Sequence, residues 1–275
     1  MSASSAEAPA DAVPVLAMRG IRKAFPGVVA LDGVELTLHA GEVHVLLGEN
    51  GAGKSTLMKI LSGAVRKDAG TILIRGVEAA IHSPRDALAH GIRVIYQELN
   101  LVPQLSVAEN IFLGQAPTVV PGVVDWRRLH ADTTRLLGDL GMAIAAATPV
   151  QRLSLAQRQM VEIAKALKDD ASILVMDEPT SALTTREVDQ LFTLIERLVA
   201  RGVAIVYITH RLDEVYRIGT RVSVLRDGRH VATRPLAETT VPELVRLMAN
   251  RNLGEHFPRQ RTPPGDELLR RAGTA

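Results

Sequence analysis

The sequence predicts an α/β fold: a mostly parallel sheet covered on both faces, an antiparallel β edge, and an inserted helical segment. Short apolar runs at 43–47, 173–176 and 203–208 alternate with segments whose apolar residues recur at helical spacing. These runs are apolar at nearly every position, as in strands buried on both faces, where a half-exposed strand would alternate. Between 99 and 152 the texture changes to helical segments punctuated by proline.

Residues 1–14 are small, Ala-rich and partly acidic, with neither the basic nor the apolar region of an export signal, and are expected to be a disordered lead-in. Ordered patterning begins near Val15, and Val34-Glu35-Leu36-Thr37-Leu38 alternates with period two, a half-buried strand. The run at 43–47 ends at Gly48; after further glycines, Leu57, Met58, Ile60 and Leu61 fall at helical spacing. The order is therefore strand, glycine loop, helix. Residues 71–81 alternate around Gly76, a hairpin at the edge of the core. Within 99–152, Pro103, Pro117, Pro121 and Pro149 separate segments carrying Trp126, Leu129, Leu136, Leu137 and Leu140 at helical spacing. From Leu153 a helix presents Met160, Ile163, Ala164 and Leu167, the strand 173–176 follows, and a second helix presents Val188, Leu191, Phe192, Ile195 and Leu198 before the strand 203–208. Residues 259–275 are rich in Arg and Pro without a period and are expected to be a tail or linker, leaving 15–258 as the folded unit.

At 275 residues, with 47% apolar and 23% charged types, the chain has the balance of an ordinary globular protein and not of a disordered or collagen-like one. Its 32 Lys and Arg against 30 Asp and Glu give a net charge of +2, too small for an electrostatic nucleic-acid footprint. The absence of cysteine excludes disulfides, Cys-ligated zinc, iron–sulfur clusters and a thiol nucleophile, and suits a reducing cytosol. No apolar run approaches the ~20 residues of a membrane-spanning helix, so a soluble protein is expected. The histidines other than His210 are scattered without metal-ligand spacing.

Gly48-Glu49-Asn50-Gly51-Ala52-Gly53-Lys54-Ser55-Thr56 matches G-x-x-x-x-G-K-[ST] and lies between a buried strand and a helix start. Glycines let successive N–H groups and the positive end of the helix converge on phosphate oxygens. Lys54 is expected to reach the β and γ phosphates and the Ser55 hydroxyl to ligate Mg2+. The plainer alternative is a glycine turn that merely connects two elements. The strand 173–176 delivers Asp177 and Glu178 at its C-terminal end, where open α/β sheets place ligand sites. Asp177 is the expected Mg2+ partner and Glu178 is placed to orient or deprotonate an attacking water. Carboxylates also follow strands simply as helix caps.

With these residues and others in the same order, the chain resembles the ATP-binding cassette ATPases, which implies a P-loop NTPase (RecA-like) fold with ATP and Mg2+ as ligands. Gln97 in Tyr96-Gln97-Glu98 resembles that family's Q-loop, which implies a contact to the metal and to a membrane partner. Leu153-Ser154-Leu155-Ala156-Gln157 resembles the signature sequence, Ser181-Ala182-Leu183 the D-loop, and His210 the switch histidine. The resemblance implies that Glu178, His210 and Gln97 serve hydrolysis, that Phe25 stacks on adenine, and that Ser154 and Gln157 face the nucleotide of an opposing cassette. Phe25 has a plainer alternative as a packing residue of the edge sheet.

Lys23-Ala24-Phe25-Pro26-Gly27-Val28-Val29-Ala30-Leu31, Tyr96-Gln97-Glu98-Leu99-Asn100-Leu101, Ala108-Glu109-Asn110-Ile111-Phe112-Leu113-Gly114 and Gln159-Met160-Val161-Glu162-Ile163-Ala164-Lys165 narrow the resemblance. They are similar to the amino-terminal cassette of simple-sugar importers of the ribose, arabinose and galactoside type, and Pro263-Pro264-Gly265-Asp266-Glu267-Leu268-Leu269 resembles the linker into a second cassette. Implied partners are permease membrane subunits, a periplasmic sugar-binding protein indirectly, and a second cassette, either a second copy or a separate chain. The implied location is the cytoplasmic face of the inner membrane, peripherally bound; nucleic acid is not expected. Leu155 and Ala156 replace the usual signature glycines, but the Ser154 hydroxyl and the following N–H groups keep their capping and phosphate-facing capacity. Thr184 stands where the D-loop usually has Asp, which bears on signalling between paired sites and not on nucleotide binding. Two other classes fit the motifs: a soluble cassette ATPase acting on nucleic acid or the ribosome, and a half-cassette that binds ATP without competent hydrolysis.

Overall fold

The computed structural model describes residues 13–249 except 98, 170 and 182; the tail expected at 259–275 and most of the lead-in at 1–14 lie outside them. β1 (Leu16–Phe25) and β2 (Val28–Leu38) form an antiparallel pair closed at Phe25 and Val28. The alternation at 34–38 thus marks only the inner end of a longer strand. β3 (Val43–Leu47) is buried at every residue, and α1 (Lys54–Leu61) follows the glycine loop. β4 (Ala69–Ile74) and β5 (Val77–Glu78) form the hairpin expected around Gly76, with Arg75 and Gly76 both at positive φ as a tight turn of primed type requires.

α2 (Pro84–Ala89) leads to β6 (Ile92–Ile95). The segment expected to be helical holds α3 (Val107–Ile111) and α4 (Trp126–Asp139), separated by an exposed hairpin that its pattern did not announce, β7 (Thr118–Val120) with β8 (Val123–Val124). α5 (Leu155–Leu167), β9 (Ile173–Asp177), α6 (Thr185–Ala200) and β10 (Ala204–Ile208) restore the alternation. α7 (Leu212–Ile218), β11 (Arg221–Arg226), β12 (Arg229–Pro235) and α8 (Val241–Ala249) complete the described chain.

Two larger sheets result. The antiparallel one has the order β2-β1-β4-β5, and the six-stranded one the order β12-β11-β3-β10-β9-β6. Every pairing in the latter is parallel except β11 with β12. One face of the parallel sheet packs with α1 and the antiparallel sheet around Leu57, Val175 and Val206. The other packs on α3, α5 and α6 around Ile163, Leu191 and Tyr207. Fully burying each such side chain stabilises the fold by roughly 1.5–3 kcal/mol, which fixes the strands in register. Parallel register brings the C-terminal ends of β3, β10, β9 and β6 to one edge. Behind that edge the β11–β12 turn is wedged between the sheets: the Gly228 N–H donates to the Ala52 carbonyl at 3.3 Å, and the Asp32 N–H donates to the Gly228 carbonyl at 2.7 Å.

Candidate nucleotide-binding site

The chain leaves β3 at Leu47 and returns as α1 at Lys54, so residues 48–53 must reverse direction over a buried strand end. Two glycines make this possible. A Cβ at Gly48 would lie 2.4 Å from the Leu225 carbonyl oxygen; one at Gly53 would lie 2.7 Å from the Ala30 carbonyl oxygen, at a φ of 100° that side chains rarely adopt. Lys54 is 9% exposed and its Nζ donates to the carbonyls of Gly48 at 2.7 Å and Glu49 at 3.1 Å. Burial pushes its pKa down, against the pull of Glu178 and Asp177. The ammonium forms no ion pair within 4.0 Å among the described residues, leaving its charge available to an anion.

Asp177 ends β9 opposite Ile208 of β10. Burial pushes its carboxyl pKa up, the Glu178 charge adds to that, and Lys54 and Lys59 oppose it. Glu178 adopts a φ of 46°, in the left-handed region uncommon for a residue with a side chain. Its N–H donates to the Ile208 carbonyl at 3.0 Å, and its Oε1 lies 2.9 Å from His210 Nδ1. Gln97 follows β6 and is exposed.

These groups line one cleft of about 690 Å³, within the range of small-molecule sites. It collects Gly48, Glu49, Asn50, Gly51, Ala52, Gly53, Lys54, Ser55 and Thr56 with Gln97, Asp177, Glu178 and His210. Ala30 and Met248 also line it, and neither was named as a site residue from sequence, although Ala30 lies in the motif 23–31. Ala30 carries no chemical signal, and Met248 sits in an apolar helical pattern indistinguishable from core.

The cleft does not include Phe25, Ser154 or Gln157. Phe25 is 39% exposed at the β1–β2 turn with Lys23 Nζ 5.3 Å from its ring centre. Ser154 caps α5, its hydroxyl accepting from the Gln157 N–H at 3.2 Å while the Gln157 side chain accepts from the Ser154 N–H at 3.0 Å. Gln157 also lines a separate cavity of about 460 Å³ beside α6. Leu155 is exposed and Ala156 buried, so the glycine replacements leave the cap intact. Thr184 precedes α6 and both its N–H and hydroxyl donate to Glu187. Ala182, within the sequence read as the D-loop, and Glu98, next to Gln97, lie outside the described residues.

Among the described residues no group of three or more His, Asp or Glu could hold a metal ion by itself. Ser55, Gln97 and Asp177 offer few oxygen donors, which fits Mg2+, an ion that takes one or two protein carboxylates and fills its octahedron with phosphate and water oxygens. An ammonium without an ion pair, a glycine loop running into a helix start and a sparse oxygen set together fit a triphosphate carrying its metal.

The model of the ABC transporter family matches residues 31–181. A ribose import ATP-binding protein of Rubrobacter xylanophilus is 57% identical over 256 residues, covering 93% of this chain and 51% of that protein. One of Streptomyces coelicolor is 54% identical over 259 residues, covering 94% and 50%. A putative ribose/galactose/methyl galactoside import ATP-binding protein of Burkholderia cenocepacia is 52% identical, covering 93% and 49%. The chain spans about half the length of the curated relatives it matches. Among solved structures, an ATP-binding cassette of an ABC transporter in its ADP conformation superposes with a TM-score of 0.72 at 25% identity, covering 85% of this chain and 94% of that one. Phosphate loop, strand-end carboxylates and histidine share one sheet edge, within a segment that the family's model largely spans: the chain belongs to the ABC transporter family.

Proposed function

We propose that this chain binds ATP with Mg2+ in the cleft at the sheet edge and hydrolyses it to energise import of a simple sugar. The carrying observation is the convergence of Lys54, Asp177 and the hydrogen-bonded pair Glu178–His210 in one cleft beside the phosphate loop. The similarity to ribose and galactoside import ATP-binding proteins supports the choice of cargo.

In this reading residues 15–258, of which 250–258 lie outside the described residues, make up the ATP-binding domain, with 99–152 as its helical part. The backbone N–H groups of 48–56 and the Lys54 ammonium grip the β and γ phosphates. Ser55, Asp177 and Gln97 would hold the metal, which would supply positive charge to offset that developing on the phosphates. Glu178 orients the attacking water and accepts its proton; His210, held at 2.9 Å, fixes the Glu178 carboxylate and contacts the γ phosphate. Catalysis is by positioning and electrostatics, without a covalent intermediate. Phe25, open to solvent at the β1–β2 turn, supplies a face for adenine. Ser154 and Gln157, outside this chain's cleft, cap the γ phosphate of a second cassette. Closure of the paired cassettes acts on permease subunits at the cytoplasmic face of the membrane. No helix among the described residues is long and apolar enough to cross a membrane, in keeping with a peripheral position.

Titration calorimetry with ATP tests this. Binding that requires Mg2+ and is lost in Lys54→Ala is expected; nucleotide affinity unchanged by that substitution would refute the site.

A further inference from the structure

Glu214, in the first turn of α7, is 2% exposed and lies outside the cleft. Buried carboxylates are rare unless fully paired, and this one is. Thr180 Oγ1 donates to Oε1 at 2.7 Å and Arg211 Nη1 lies 3.1 Å from the same oxygen. Tyr207 OH donates to Oε2 at 2.9 Å and Thr209 Oγ1 donates to it at 3.1 Å. An ionised carboxylate has about four acceptor sites and no donor, so these four partners fill it. Burial, then the Glu214 charge, pushes the Tyr207 hydroxyl far above its ordinary range, which keeps it a donor.

The identity of the clamped residues gives the cluster its meaning. Thr180 follows Glu178 by two positions, across Pro179, and Thr209 immediately precedes His210. One carboxylate therefore ties together the two chain segments that carry the Glu178–His210 pair. The Arg211 N–H also donates to Thr209 Oγ1 at 3.1 Å, fixing that hydroxyl from the other side. Glu178 needs such support. Its left-handed backbone is one of three non-glycine cases among the described residues, and strain of that kind persists only where the surroundings over-determine it.

We propose that Glu214 is a positioning residue: by gripping Thr180 and Thr209 it holds Glu178 and His210 in hydrogen-bond register, without touching the nucleotide. The inference rests on the reading of the cleft as an ATPase site. It adds that the charge of Glu214, and not merely its bulk in the core, is required there.

The test uses the full chain with Glu214→Gln, and with Thr180→Val and Thr209→Val, each of which removes one arm and keeps the shape should the first variant fold poorly. In Glu214→Gln kcat is expected to fall about 10- to 100-fold while affinity for ATP with Mg2+ stays within about threefold, because sub-ångström misplacement penalises the transition state more than binding. In a His210→Ala background the same substitution should cost little further, since the pair it aligns is already broken. Equal losses in both backgrounds, or an unchanged kcat, would overturn the proposal. A second readout is independent of turnover. The His210 Nδ1 resonance, assigned by its disappearance in His210→Ala, should move in Glu214→Gln by at least half of the displacement that Glu178→Ala causes; a resonance that stays in place refutes the role. A wild-type chain that binds no nucleotide would instead sink the ATPase reading, and the resonance alone would then decide whether Glu214 holds the pair.

Discussion

Asp177 sits where burial and the neighbouring Glu178 both oppose its charge. Because its folded pKa is raised, the unfolded chain releases this proton at lower pH than the folded one. Stability is therefore lost as pH rises from the ordinary value of 3.8 through the raised folded value, and the loss is complete above it. Asp177→Asn is expected to raise the melting temperature at neutral pH, and the gain should vanish below about pH 3.8, where Asp177 is protonated in both states. Melting curves of the two proteins across pH check this; a variant that melts lower at pH 7 would contradict it. At this scale much was legible. Gly48, Gly53, Lys54, Asp177 and Glu178 stand in short motifs whose spacing mirrors their contacts. Glu214 was not, because its partners span 180 to 211 and come together only when β9 and β10 pair. The one local trace, the acidic pair Asp213-Glu214 at the start of α7, is equally the mark of an exposed first turn.

Short elements depend on their ends. α3 has five residues, too few to be stable as an isolated helix, and its start is held by reciprocal bonds. The Glu109 N–H donates to Ser106 Oγ at 3.2 Å, and the Ser106 N–H donates to Glu109 Oε2 at 2.8 Å. Ser106→Ala is expected to cost about 1 kcal/mol, read from the midpoint of denaturant unfolding at unchanged slope. Its bonds to the Ser106 hydroxyl and N–H hold Glu109 below its ordinary value of 4.5, so this contribution is present above that value and fades as pH falls through the folded pKa. Equal midpoints for variant and parent at pH 7 would show that packing alone sets the helix. β3, β9 and β10 could be read from sequence because burial on both faces favours apolar residues at nearly every position, His44 and the terminal Asp177 being the exceptions. β7 and β8 could not: every residue but the last is exposed, so no face is selected and no alternation is written into the chain.

Across the molecule, residues 54, 177 and 210 meet because β3, β10 and β9 are adjacent and parallel, and the loops at their C-terminal ends share one edge. Ser154 and Gln157 lie outside the cleft's lining. If the signature acts on the partner's phosphate, Lys54→Ala and Ser154→Arg chains, each inactive alone, should regain turnover when mixed, since one composite site then has an intact loop and an intact cap. Turnover should also rise more steeply than linearly with chain concentration. No recovery on mixing would place both functions within one chain. Such a trans arrangement is implied by family resemblance alone; nothing in the spacing of 48–56 and 153–157 bears on it.

The turn at Gly228 has a further consequence. A Cβ there would lie 2.7 Å from the Ala30 carbonyl oxygen, and the Gly228 N–H and carbonyl bond to the loop and to the antiparallel sheet respectively. Any bulkier residue would work as a splinter, prising the hairpin off the loop from its rear, so a buried lesion outside the cleft's own lining would mimic one among the residues that line it.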